Sequence, residues 1–197
     1  ELASAARSDF EAAGARAGVA ATDHLRGDVA RFKGNVIEAE EHYRSALELY
    51  ELVGSRQSIR VELDLSFLLI GNRRFLEAKL LLDRIIATCQ DAGHQVLETK
   101  AKTNLLAYLT HSEDWFQWDS TVDFIKQTLV RTGILDIDIA IQLENSGQAA
   151  IHQGQSERGI VALELAVNIW QGLKRSEKVY RLQKKLKDLR GMFSTWS

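Results

Sequence analysis

Five histidines, a single cysteine and one short aromatic run are the parts of this 197-residue sequence whose side chains suit chemistry. His24, His42, His94, His111 and His152 are scattered, with no HExxH or other paired ligand spacing, so no metal motif is legible. His111 and His152 fall at the ends of helical segments and read as partly solvated groups. A nucleophilic Cys89 would need a base and an anion-stabilising element, and neither can be placed. Cys89 stands where other segments carry Phe10, Tyr50, Leu129 and Trp170, which predicts a buried core thiol. No GxxxxGK[ST] or GxGxxG phosphate loop occurs. The expectation is a chain without catalytic residues, metal or cofactor, and therefore not an enzyme. The third feature, Trp115-Phe116-Gln117-Trp118, is an aromatic patch suited to an interface or to a core.

The elements that must position these residues are helices. Proline is absent and 13 glycines punctuate the chain, as expected of helices joined by short turns. With 45% apolar and 26% charged residues, neither disorder nor a fibrous class is suggested. A net charge of −2 supplies no field to draw in nucleic acid or an anionic membrane, so neither is an expected partner. RNA-binding repeats are disfavoured too, because stacking aromatics and basic residues do not recur once per unit. The longest apolar run, Leu65 to Ile70, is interrupted by Ser66 and is too short to span a bilayer. One unpaired cysteine favours a reducing compartment, and the cytoplasm is the expected location.

The strongest signal is a repeat. Phe10-Glu-Ala-Ala-Gly14, Tyr50-Glu-Leu-Val-Gly54, Cys89-Gln-Asp-Ala-Gly93 and Leu129-Val-Arg-Thr-Gly133 place glycines 40, 39 and 40 residues apart. Each follows a segment with helical apolar spacing, where a glycine in the left-handed conformation closes the helix. Midway through the units, Gly34-Asn35, Gly71-Asn72 and Gly154-Gln155-Ser156 interrupt the pattern. Asn35 followed by Glu38 reads as a capping box, and Asn72 and Ser156 as helix starts. Each unit is then helix, turn, helix, with the small residues Ala39, Ala78 and Gly159 at matching places. Two stretches, Val61 to Phe67 and Ile137 to Leu143, alternate with a strand-like period. Both fall in the first-helix register of their units and are read as helices.

Gly27, Gly34, Ala39, Tyr43 and Ala46 together resemble the tetratricopeptide repeat, and Gly147, Gly159, Leu163 and Ala166 resemble it more loosely. The period here is near 40 residues, and Trp118 stands where a small residue belongs. The resemblance implies an all-α fold, an α-α superhelix of antiparallel helix pairs with a C-terminal capping helix. The expected layout is one repeat domain, 1–197. It comprises the second helix of a truncated repeat (1–14), pairs at 19–54, 56–93, 95–133 and 136–172, a cap at 175–191 and a tail at 192–197. The cap is read from Val179, Leu182, Leu186 and Leu189, one apolar stripe on an otherwise basic helix. Trp196 is placed in the tail, docking back on the last repeat or on a partner. An array open at its first helix and capped at its last is expected to be the end of a longer chain.

Long-period arrays of this kind resemble those of bacterial signalling ATPases, transcription regulators and Ser/Thr kinases. That likeness implies a scaffold or interaction module, binding a protein or peptide or another domain of the same parent chain. Such arrays bind along the concave wall of their first helices. Counted along the register, that wall should comprise His24, Asp28, Arg31, Arg60, Phe67, Thr103, Asn104, Ala107, Glu144, Asn145, Gln148 and His152. His24 and Asp28 replace the basic residues that family members use to clamp a chaperone's C-terminal carboxylate. The alternatives are a peptide- or ligand-sensing domain that regulates a neighbouring effector, and a homo-oligomer formed through the patch at Trp115, Phe116 and Trp118.

Overall fold

A computed structural model describes residues 2–194, leaving aside the side chains of residues 3, 4 and 192–194. Trp196 and the end of the expected tail lie outside the described residues. The described chain is ten helices: α1 (Leu2–Ala12), α2 (Arg16–Phe32), α3 (Val36–Leu52), α4 (Ser58–Gly71), α5 (Phe75–Ala92), α6 (Gln95–His111), α7 (Trp115–Thr132), α8 (Ile137–His152), α9 (Ser156–Gly172) and α10 (Ser176–Ser194). There is no strand among the described residues, and no helix is long and apolar enough to cross a membrane. The fold is all-α, with consecutive helices packed as pairs in the manner of a solenoid. Two compact units divide it, Glu1–Thr88 and Cys89–Ser197.

In the first unit α2 packs on α1 and α3, and α3 on α4. Ala20, Ala30, Ala39, Tyr43 and Ala46 are fully or almost fully enclosed there, together with Leu65, Leu69, Ala78, Leu82 and Ile85. In the second unit α6 meets α7 and α8, α8 meets α9, and α10 covers α9 through the buried Leu182 and Leu186. That is the expected cap, continuing to Ser194 where the sequence pattern fades at 191. The strand-like alternation in α4 has a simple origin. Ile59, Val61, Glu62, Leu63, Leu65, Ser66, Leu68, Leu69 and Ile70 are all buried, and a helix enclosed on most sides shows no single apolar stripe. The same holds for α8.

Every connection turns through a left-handed residue. Gly14, Gly34, Gly54, Gly93, Gly133 and Gly154 have φ between 64° and 80°, and Arg73, Glu113 and Lys174 serve at the equivalent places with φ of 61°, 56° and 56°. These nine positions follow one another at intervals of 19 to 21 residues, so the glycine spacing seen in the sequence is every second beat of a shorter rhythm. A side chain costs about 1 kcal/mol or more in this conformation. We expect Arg73→Gly, Glu113→Gly and Lys174→Gly each to stabilise the fold by roughly 0.5–1 kcal/mol, partly offset by the freedom glycine adds to the unfolded chain. Denaturation midpoints of the three variants check this, and a uniform loss of stability would contradict it.

The capping residues differ from those expected. Asn35 stands at the N-cap of α3, but its amide nitrogen donates to Glu38 Oε2 (3.0 Å) and its side chain accepts no backbone N–H. Asn72 ends α4 rather than starting α5, its Nδ2 donating to the Leu68 carbonyl at 2.8 Å. Ser156 does start α9, as expected, with Gln155 at the N-cap making no side-chain capping bond. Aspartates form the true caps: Asp114 accepts from the Gln117 N–H, and Asp136 from those of Asp138 and Ile139.

Two glutamates in the first unit, the half-buried Glu40 and the buried Glu62, respond to pH with opposite sign. Burial pushes Glu40 up, but hydrogen bonds from Arg74 (2.6 Å) and Arg44 (2.7 Å) outweigh it and hold the carboxyl below its ordinary value. That contribution to stability is lost as pH falls through the folded value. Glu62 on α4 is pushed upward by burial, which Arg84 on α5, 3.0 Å away, only partly counters. Its charge therefore costs stability at neutral pH, and the cost fades as pH falls. Glu62→Gln is expected to be neutral or to stabilise by about 1 kcal/mol at pH 7. The advantage should shrink in acid, as thermal unfolding of both proteins between pH 7 and pH 4 will show.

Candidate functional site

The site is built on the side of α2 that faces α4. Ala20, Asp23, Gly27 and Ala30 turn inward, which leaves His24, Asp28 and Arg31 on one half-buried flank at spacings of four and three. Gly27 allows the next step. A Cβ there would lie 2.5 Å from the Tyr43 ring, so only glycine admits the aromatic side chain of α3 against the α2 backbone. Tyr43 is 0% exposed. Its hydroxyl donates to Asp28 Oδ1 (2.8 Å) and accepts from Arg31 Nε (3.2 Å). Burial first, and then the bond to the Asp28 carboxylate, push the phenol above its ordinary range, so it remains a protonated donor.

From α4, Asp64 Oδ2 meets His24 Nε2 at 2.8 Å, and the imidazole stands edge-on to Tyr43 with ring centroids 5.9 Å apart. The Arg31 guanidinium lies over Phe32 (4.6 Å to the centroid) and Phe67 (5.2 Å), a pair of cation–π contacts that spans α2 and α4. Arg60 is exposed at the start of α4. Beside this network the outward face of α2 carries Leu25, Val29 and Phe32, exposed by 53%, 45% and 79%. The first unit thus presents a fixed polar cluster next to an open apolar stripe.

Behind the cluster, Asp23 anchors α2. Buried among three helices, it accepts from Arg7 Nε of α1 (2.8 Å) and from Ser45 Oγ of α3 (2.8 Å). Carboxylates that receive such paired bonds hold their helices in fixed register.

Residues expected on the wall in the second unit behave differently. Thr103 is fully buried, its hydroxyl donating to the Thr99 carbonyl (2.7 Å), and Asn104 is buried as well. Glu144 is interior, held by Arg181 of α10 and by Gln148 Nε2 at 3.2 Å. These three are therefore structural rather than displayed, because α6 and α8 are buried around a wider arc than α2. Ala107 and Gln148 are half-buried, and Asn145 and His152 are exposed.

The aromatic run also resolves unevenly. Trp118 is 1% exposed and donates its indole N–H to Thr110 Oγ1 (3.1 Å), so it belongs to the core and not to a surface patch. Trp115 is tilted against it at 6.2 Å and lies beneath Arg158, which grips Asp119 with two bonds of 2.8 Å. Phe116 alone turns out, 89% exposed. Cys89 is buried, as its place in the repeat predicts.

Sequence reasoning missed Asp64 and the role of Tyr43. The signal was present for the first: Arg60, Asp64 and Phe67 repeat on α4 the spacing of His24, Asp28 and Arg31 on α2.

No protein-family profile matches this sequence, and no curated protein matches it. Among solved structures it is similar to the crystal structure of BtubC (BKLC) from P. vanneervenii, with a TM-score of 0.62 and 14% sequence identity, covering 98% of this chain and 90% of that one. Likeness at that identity speaks for the fold: the chain is an all-helical, repeat-like protein whose helices pack in pairs.

Proposed function

We propose that this chain is a tetratricopeptide-like interaction module, non-catalytic in itself, which holds an extended segment of a protein partner or of its own parent chain on the face of α2 and α4. The observation that carries the reading is the exposed stripe Leu25, Val29 and Phe32 lying against the fixed cluster of His24, Asp28, Arg31 and Asp64. Apolar side chains that can be desolvated beside polar groups already locked in place are what a peptide-binding surface needs, since ordering costs are then small. Regulation within a larger cytoplasmic bacterial signalling chain, a Ser/Thr kinase or signalling ATPase, is the setting that the repeat resemblance favours.

Peptide selection from a displayed random library tests the reading. Peptides enriched on the wild-type protein should lose at least tenfold in affinity on Phe32→Asp and on Arg31→Ala, with helicity unchanged by circular dichroism. Equal affinity for all three proteins, or no enrichment over Phe32→Asp, would sink it.

A further inference from the structure

We propose that His24, Asp28 and Asp64 form a binding site for a divalent cation of the zinc class. His24 and Asp28 stand one turn apart on α2 and Asp64 faces them from α4. One imidazole nitrogen and two carboxylate oxygens, one from each residue, all lie within 4.8 Å of one another. Donors bound to zinc at 2.0–2.2 Å sit roughly 3–3.5 Å apart, so rotation of half-buried side chains by about 1 Å closes the set around an ion.

Three features favour a cation over a bare polar network. The two carboxylates repel one another at this separation in partly desolvated surroundings. Arg31 divides its charge among several partners: an ion pair of 3.9 Å with Asp28, a hydrogen bond from Nε to the Tyr43 hydroxyl, and cation–π contacts with the Phe32 and Phe67 rings. Outer support is also in place, because Tyr43 fixes the Asp28 carboxylate by its hydrogen bond and packs against the His24 ring. One nitrogen and two oxygens suit zinc or manganese better than magnesium or calcium, which prefer all-oxygen shells. Three protein donors leave a further position open to water. An ion here joins α2 to α4 and competes with the His24–Asp64 hydrogen bond for the imidazole nitrogen.

The inference stands apart from the peptide reading, and peptide affinity measured in EDTA keeps the two separable. Protein stripped with EDTA is titrated with Zn²⁺ by calorimetry, and thermal unfolding is followed with and without the ion. The expected result is one saturable site per chain and a raised melting temperature. His24→Gln, which keeps a hydrogen-bond donor for Asp64, and Asp64→Asn should each weaken binding at least tenfold. His42→Ala removes a second histidine lying beside a carboxylate, Glu38 at 3.9 Å, and should change nothing. Co²⁺ added instead should give visible absorption bands that His24→Gln shifts or abolishes. Equal Zn²⁺ affinity in wild type, His24→Gln and Asp64→Asn, or no saturable binding by wild type at millimolar Zn²⁺, overturns the proposal.

Discussion

Gly159→Ala is expected to destabilise the protein by about 2–3 kcal/mol, although alanine is the better helix former by about 1 kcal/mol. Gly159 is where α9 crosses α8, and a Cβ there would lie 2.5 Å from the Gly147 carbonyl oxygen and 2.4 Å from Ile151 Cγ1. The first obstacle is backbone, which cannot rotate aside, so the two helices must separate along the core formed by Leu143, Ala150, Ala162, Leu163 and Ala166. Gly71→Ala supplies the contrast. Gly71 ends α4 with nothing within 4 Å of an added Cβ, and there the same substitution should be neutral or slightly stabilising. Urea midpoints of both variants measure the difference, and a Gly159→Ala protein as stable as wild type would remove the case for a backbone contact.

Tyr43 should separate stability from site geometry. Tyr43→Ala empties a fully enclosed position against Gly27 and is expected to cost about 3–5 kcal/mol. Tyr43→Phe keeps the ring and removes only the hydroxyl that joins Asp28 to Arg31, at a cost of about 1–2 kcal/mol. Its larger consequence lies at the surface, where Asp28 and Arg31 lose their common anchor. Peptides selected on the wild-type protein should bind Tyr43→Phe several-fold more weakly at a temperature where both proteins are fully folded. Undiminished peptide affinity would show that this hydroxyl does not organise the binding face.

How much of this was legible in the sequence depended on whether the information was local. Helix type and spacing were readable because glycine stops and apolar periodicity act over a few residues, and the grouping of His24, Asp28 and Arg31 was readable because spacings of four and three put them on one flank of α2. Asp64 shares that spacing with Arg60 and Phe67 on α4, but its pairing with His24 across 40 positions comes from packing, which no single helix pattern encodes. Thr103, Asn104 and Glu144 were misplaced because register counting assumes equal burial of every first helix, and α6 and α8 are enclosed more completely than α2. Trp118 went inward because Thr110 offered its indole N–H a partner, a pairing eight residues apart that composition alone does not announce. The true caps escaped notice for a related reason: Asp114 and Asp136 follow no glycine landmark directly.

The beat of left-handed residues has a consequence for how such a chain can be lengthened or shortened. Turns inside a pair and turns between pairs recur at nearly the same interval, so removing about 20 residues still leaves connections that close locally. The helices beyond the cut, however, exchange inner and outer roles, and a small-residue seam such as Gly147 on Gly159 is then presented to the wrong neighbour. Growth by duplication is therefore quantised at two beats, near 40 residues, even though the backbone itself counts in ones.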